Sequence, residues 1–216
     1  MAASVHRSRL WVEFAGLFVI APVIVAVFLP ARWMFPVLFA VTAVGLLLLM
    51  ATPGFQMRRL FHGAGRISWA YVSVVALVTG VAASAVVLRD APHAHLLIQR
   101  NPELMLMIAG FYPWLSALPQ ELVFRVLYFQ RFEAVLPRHA GLAVPLNASV
   151  FALAHLMYWS WIVAAMTFAG GLLFAFSYRV RRNFPEAFVL HAVSGLVVFA
   201  MGLGVVFYSG NVQRPF

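Results

Sequence analysis

The chain has 216 residues, is 64% hydrophobic and only 10% charged, and has a mean hydropathy of +0.93. Soluble domains are about half apolar and a quarter charged, so this composition excludes an ordinary water-soluble fold and fits one compact membrane-embedded bundle. The absence of cysteine excludes disulfides, iron–sulfur clusters and thiol chemistry. The net charge of +9 rests on arginine alone and lies mostly in loops between apolar runs, which reads as topology and lipid headgroup contact rather than nucleic-acid binding.

In chain order, Leu10–Leu29 is a first membrane helix, since about 20 apolar residues span the hydrocarbon core and no small-residue cleavage site follows. Glu13 in its first turn can reach the interface and reads as structural. Met34–Ala51 is a second span, Thr52–Ser68 an arginine-bearing loop, and Trp69–Leu88 a third span whose small residues suit close helix contacts. Arg89–Glu103 is the most polar loop. Its His93 and His95 have a spacing that a loop can use for metal, but no cysteine or acidic cluster supports them. Leu104–Leu118 is short and interrupted by Pro113. Pro119–Val135 then begins with a proline, a residue favoured in a first helical turn. Gly141–Met157, Trp161–Tyr178 and Phe184–Tyr208 complete the spans.

The expected architecture is an all-α polytopic membrane protein, a single domain over 1–216, with about eight transmembrane helices. The two prolines favour separate helices for 104–118 and 119–135. The arginine distribution favours an odd number of crossings, which seven spans plus a re-entrant helix would satisfy.

The stretch PQELVFRVLYFQRF, Pro119–Phe132, carries the chemistry. Glu121 and Arg125 are four apart, on one helical face and in the favourable order. Charged groups at membrane depth are expensive and usually mark a working site. Two later helices supply polar partners. Asn147, Phe151 and His155 recur every four residues on one face, and His191 is followed on its own face by Ser194 and Gly195. A carboxylate and two imidazoles suffice to activate water: one group takes a proton, and the others position the water or donate to a developing oxyanion. The same three groups could instead hold a divalent metal, but they come singly from three helices and lack the H-E-x-x-H spacing of zinc proteases, so no cofactor is the preferred expectation. A transporter fits less well, because the charged groups cluster rather than line a path.

At these residues the sequence resembles the CPBP family of intramembrane proteases, which includes the type II CAAX prenyl endopeptidases and Abi proteins. The family's E-E-x-x-x-R motif corresponds to Gln120-Glu121-Leu122-Val123-Phe124-Arg125. Its F-x-x-x-H is intact as Phe151-Ala152-Leu153-Ala154-His155, and its H-x-x-x-N corresponds to His191-Ala192-Val193-Ser194-Gly195. The resemblance covers 113–205 as a catalytic core. Gln120 stands where the family has its first glutamate, and Gly195 where it has the final asparagine. The resemblance implies a helical bundle, multi-pass in a membrane such as the bacterial inner membrane. It also implies glutamate-and-histidine hydrolysis of a membrane-tethered protein or peptide. The expected catalytic set is Glu121 as base, Arg125 holding it, His155 orienting water and His191 at the oxyanion, with Gln120, Phe124, Asn147, Phe151 and Ser194 in binding or supporting positions. The alternative, motivated by Gln120 and Gly195, is a catalytically impaired member that binds peptides as an immunity or sorting accessory.

Overall fold

The computed structural model describes residues 2–90, 99, 101–207 and 212. His93 and His95 lie outside the described residues. The chain is all-α, with no strand among the described residues. Helix α1 spans residues 2–28 with a π turn at Gly16–Ile20, α2 is Met34–Met50 and α3 is Trp69–Asp90. Helix α4 spans residues 102–131, α5 is Ala140–Ala154, α6 is Trp161–Arg179, α7 is Phe184–Ala200 and α8 is the short Gly204–Phe207. Four segments are long and apolar enough to cross a membrane: Arg7–Phe28, Trp69–Arg89, Ala140–Tyr158 and Trp161–Arg179. Met34–Met50 and Phe184–Ala200 are shorter apolar helices. The protein is an integral, multi-pass membrane protein.

The structure differs from the expected division at Pro119. Residues 102–131 run as one helix, neither two spans nor a re-entrant hairpin, with π segments at Pro113–Ala117 and Leu122–Leu127. A proline inside an α-helix removes one ladder bond and clashes with the preceding turn. A π segment lies between the two prolines, with Leu118 N–H reaching back five residues to Pro113 O. Both flanking residues, Tyr112 and Leu118, keep right-handed helical dihedrals, so nothing breaks the helix.

Helix α4 is the axis of the bundle. Val123 through Phe129 are all buried, Arg125 among them, as expected for a helix at the centre of a bundle. Phe14 and Phe18 of α1 pack among Phe124, Tyr128 and Phe132 with ring centroids 5.3–5.8 Å apart. The last turn of α4 is fastened by Arg131. Its Nε donates to Glu13 Oε2 at 2.7 Å, and its Nη1 to Leu48 O at 3.0 Å and Thr52 Oγ1 at 3.2 Å, which ties α1, α2 and α4 together. Helices α5, α6 and α7 pack in succession, and α7 also lies against α3. Helix α3 exposes Val74, Leu77, Val78, Val81 and Leu88, an apolar face suited to lipid.

A second clamp sets the position of α7. Asn183 caps its N-terminus by accepting from Glu186 N–H at 3.0 Å, while Asn183 Nδ2 donates to Gly63 O at 3.0 Å and Arg66 O at 3.3 Å. Gly63 has φ +102°, and a Cβ there would meet Asn183 Oδ1 at 2.8 Å, so the turn requires glycine. Glu186 accepts from Ser68 N–H at 3.0 Å and from Arg181 Nε and Nη2 at 2.5 and 2.9 Å. Asn183→Ala removes a cap and two loop bonds together. It is expected to cost about 1–3 kcal/mol, read as a lower thermal midpoint in detergent; an unchanged midpoint would show that the clamp is ornamental.

Candidate active site

The site forms where the second π segment of α4 meets α5, α6 and α7. Glu121 and Arg125 are both fully buried. Arg125 Nε lies 3.3 Å from Glu121 Oε2, an ion-pair contact outside hydrogen-bond alignment. Arg125 Nη1 donates to Asn147 Oδ1 at 2.6 Å and to Phe124 O at 3.3 Å, and Asn147 Nδ2 donates to Phe124 O at 2.6 Å. Asn147 thus bridges the guanidinium and a carbonyl of the widened helical segment, locking α5 to α4. The guanidinium carbon sits 4.7 Å from the Phe151 ring centroid and 5.7 Å from that of Phe174, within cation–π range.

The other carboxylate oxygen faces α7. His191 Nδ1 lies 2.9 Å from Glu121 Oε1. A carboxylate oxygen accepts, so Nδ1 carries the proton and the His191 Nε2 points away from Glu121. The ring is held flat by Phe174, stacked at 4.8 Å, and edge-on by Phe151 at 5.6 Å. On α5, His155 Nδ1 lies 2.8 Å from Phe151 O. A carbonyl only accepts, so the neutral His155 ring is protonated at Nδ1 and its Nε2 keeps a free lone pair. Phe151 touches both imidazoles, with its centroid 4.7 Å from that of His155.

Of the residues expected from sequence, Glu121, Arg125, Asn147, Phe124, Phe151 and His191 form one connected network. His155 joins it through Phe151. Gln120 turns along its own helix, Nε2 donating to Ser116 Oγ at 3.0 Å, while its Oε1 is buried with no partner among the described residues. Arg125 Nη2 is likewise buried without a partner there. Ser194 is half-buried, and its hydroxyl makes no hydrogen bond among the described residues. Two aromatic residues that the sequence did not single out belong to the site. Phe174 sandwiches His191 and Arg125, and Tyr112 lies edge-on to His191 with centroids 6.3 Å apart. Neither has a motif around it to mark it.

A metal would have to draw on Glu121, His155 and His191. Both imidazoles donate from Nδ1 to protein oxygens, which leaves each Nε2 free for proton transfer or for a metal ion, and the described residues contain no group of three His, Cys, Asp or Glu at metal-binding spacing.

Comparison with known proteins adds an independent line. No curated protein and no solved structure matches the chain. The family model described as Type II CAAX prenyl endopeptidase Rce1-like matches residues 101–208, half of the chain and the half that contains every site residue named above. The chain therefore belongs to the Rce1-like family of type II CAAX prenyl endopeptidases, a family of intramembrane proteases.

Proposed function

We propose that the protein is an intramembrane endopeptidase that hydrolyses a peptide bond in a membrane-associated protein or peptide, without a metal, using the Glu121–His191 pair and His155. The observation that carries this reading is the buried contact of 2.9 Å between Glu121 Oε1 and His191 Nδ1, with Arg125 on the other carboxylate oxygen. With both oxygens engaged, Glu121 acts through His191 rather than directly on water. It fixes the ring's orientation and balances the positive charge of its doubly protonated form, as the buried carboxylate stabilises the imidazolium in hydrolytic triads. The free Nε2 of His155 takes a proton from water as the water oxygen bonds to the carbonyl carbon. His191, as an imidazolium with a proton on each ring nitrogen, donates from Nε2 to the carbonyl oxygen as it gains charge. The proton held by His155 then passes to the leaving amine. The unpartnered Gln120 Oε1 and Arg125 Nη2 suit contact with water or substrate backbone, since buried polar atoms rarely stay unpaired. An all-helical bundle supports the bacterial inner membrane over the outer, where spanning proteins are barrels.

The test is cleavage of a membrane-tethered peptide by purified protein in lipid nanodiscs. Wild type should cut, a chelator should leave the rate unchanged, and His155→Ala should lower kcat by about 10²–10⁴. Loss on chelation with recovery on adding a divalent metal would replace the acid–base reading with a metal one. Equal rates in His155→Ala would remove His155 from the reaction.

A second reading, a peptide-binding member without turnover, is favoured by one observation. Gln120, where the family pattern has a glutamate, is neutral and tied to Ser116. Gln120→Glu discriminates: activity that appears only in this variant would support the binder.

A further inference from the structure

The packing around Gly195 points to one more working residue. His191, Gly195 and Phe199 lie along one face of α7 at four-residue steps. The Tyr112 ring lies along that face, edge-on to His191 at 6.3 Å and to Phe199 at 5.4 Å. Between them, a Cβ built on Gly195 would fall on the Tyr112 hydroxyl and on its ring atoms Cε1 and Cζ. The phenol thus occupies the space that a side chain at position 195 would take. Its hydroxyl lies about one helical turn from His191, on the face that carries the imidazole.

The helical register explains how Tyr112 comes to be there. It precedes Glu121 by nine positions, which in a regular α-helix at about 100° per residue would put the two on opposite sides. The π segment Pro113–Ala117 lies between them. One inserted residue sets the phase back by about 100°, which leaves Tyr112 and Glu121 about 80° apart, both facing α7. Such bulges occur frequently at functional sites. Tyr112 is half-buried, and its hydroxyl makes no hydrogen bond among the described residues, so it is available as a donor.

We propose that the Tyr112 hydroxyl is a catalytic hydrogen-bond donor that takes the place of a polar side chain at position 195: with His191, it binds the scissile carbonyl oxygen as that oxygen becomes an oxyanion. The inference rests on the endopeptidase reading above. In the step, the water oxygen bonds to the carbonyl carbon, the C=O π pair moves onto oxygen, and His155 Nε2 takes the water proton. Tyr112 keeps its own proton and only donates. Removing one such donor costs about 10²–10³ in rate in well-studied hydrolases.

The experiment uses the full chain in nanodiscs with two readouts: turnover of a membrane-tethered peptide, and affinity for the matching peptide phosphinate, whose tetrahedral oxygen mimics the oxyanion. Tyr112→Phe keeps the ring and removes the donor. It should lower kcat by about 10²-fold with KM unchanged, and weaken phosphinate binding by a similar factor. Gly195→Asn alone should be impaired because the ring fills the space, whereas Tyr112→Ala combined with Gly195→Asn should recover phosphinate affinity. Wild-type kcat and phosphinate affinity in Tyr112→Phe would overturn the inference while leaving the endopeptidase reading intact. A wild type that does not turn over but binds phosphinate in a Tyr112-dependent way would overturn the endopeptidase reading and keep Tyr112 as an oxyanion-type donor. Neither turnover nor Tyr112-dependent binding would overturn both.

Discussion

Replacing Arg125 with methionine is expected to destabilise the protein by about 3–5 kcal/mol, the cost of leaving a buried charge uncompensated. Arg125 and Glu121 are both fully buried, and their contact is 3.3 Å. Methionine fills a similar volume and can still pack on Phe151 and Phe174, so the loss isolates charge and hydrogen bonding from packing. It also strips Asn147 of the donor to its Oδ1, loosening the link between α5 and α4. The partner change sharpens the test. Arg125→Met with Glu121→Gln removes both charges and should recover a large part of the loss, because replacing both members of a buried pair costs far less than removing one. The measurement is unfolding in detergent for the four proteins of the cycle. A single Arg125→Met change costing under about 1 kcal/mol would mean that the pair does not hold the site together.

The second large effect concerns turnover. Glu121→Gln is expected to lower kcat by about 10³–10⁴, by analogy with replacing the buried carboxylate of a hydrolytic triad by its amide. The amide is nearly isosteric and its oxygen can still accept from His191 Nδ1 at the observed 2.9 Å. What disappears is the negative charge that balances the imidazolium of His191 while it donates to the oxyanion. The same change leaves Arg125 as an unpaired buried cation, so folded fraction must be measured alongside rate. A folded variant that cuts at the wild-type rate would exclude Glu121 from the chemistry.

Much of this site was legible in the sequence because its parts are local. The i,i+4 spacing of Glu121 and Arg125, and the four-residue recurrence of Asn147, Phe151 and His155, each specify one helical face without tertiary information. His191 was legible as a polar group in an apolar helix. What was not legible depends on register and on contacts far apart in the chain. Pro113 and Pro119 signal a helix boundary by local rules, and only the structure shows one helix running through both with a π segment between them. Tyr112 escaped because regular helical phase puts it opposite Glu121, and only the extra residue of the π turn brings it round. The reach of Asn183 to Gly63 and of Glu186 to Ser68 spans more than a hundred residues, with no local pattern to announce it.

The central claim is that Glu121 and His191 work as one unit. The direct test is kcat/KM for a membrane-tethered peptide in wild type, Glu121→Gln, His191→Ala and the double variant, with all four shown to be folded. Residues that act together are strongly non-additive. Each single change should therefore lose about 10³-fold, and the double variant no more than about ten-fold beyond either. Losses that multiply in the double variant, or a Glu121→Gln protein as fast as wild type, would contradict the account.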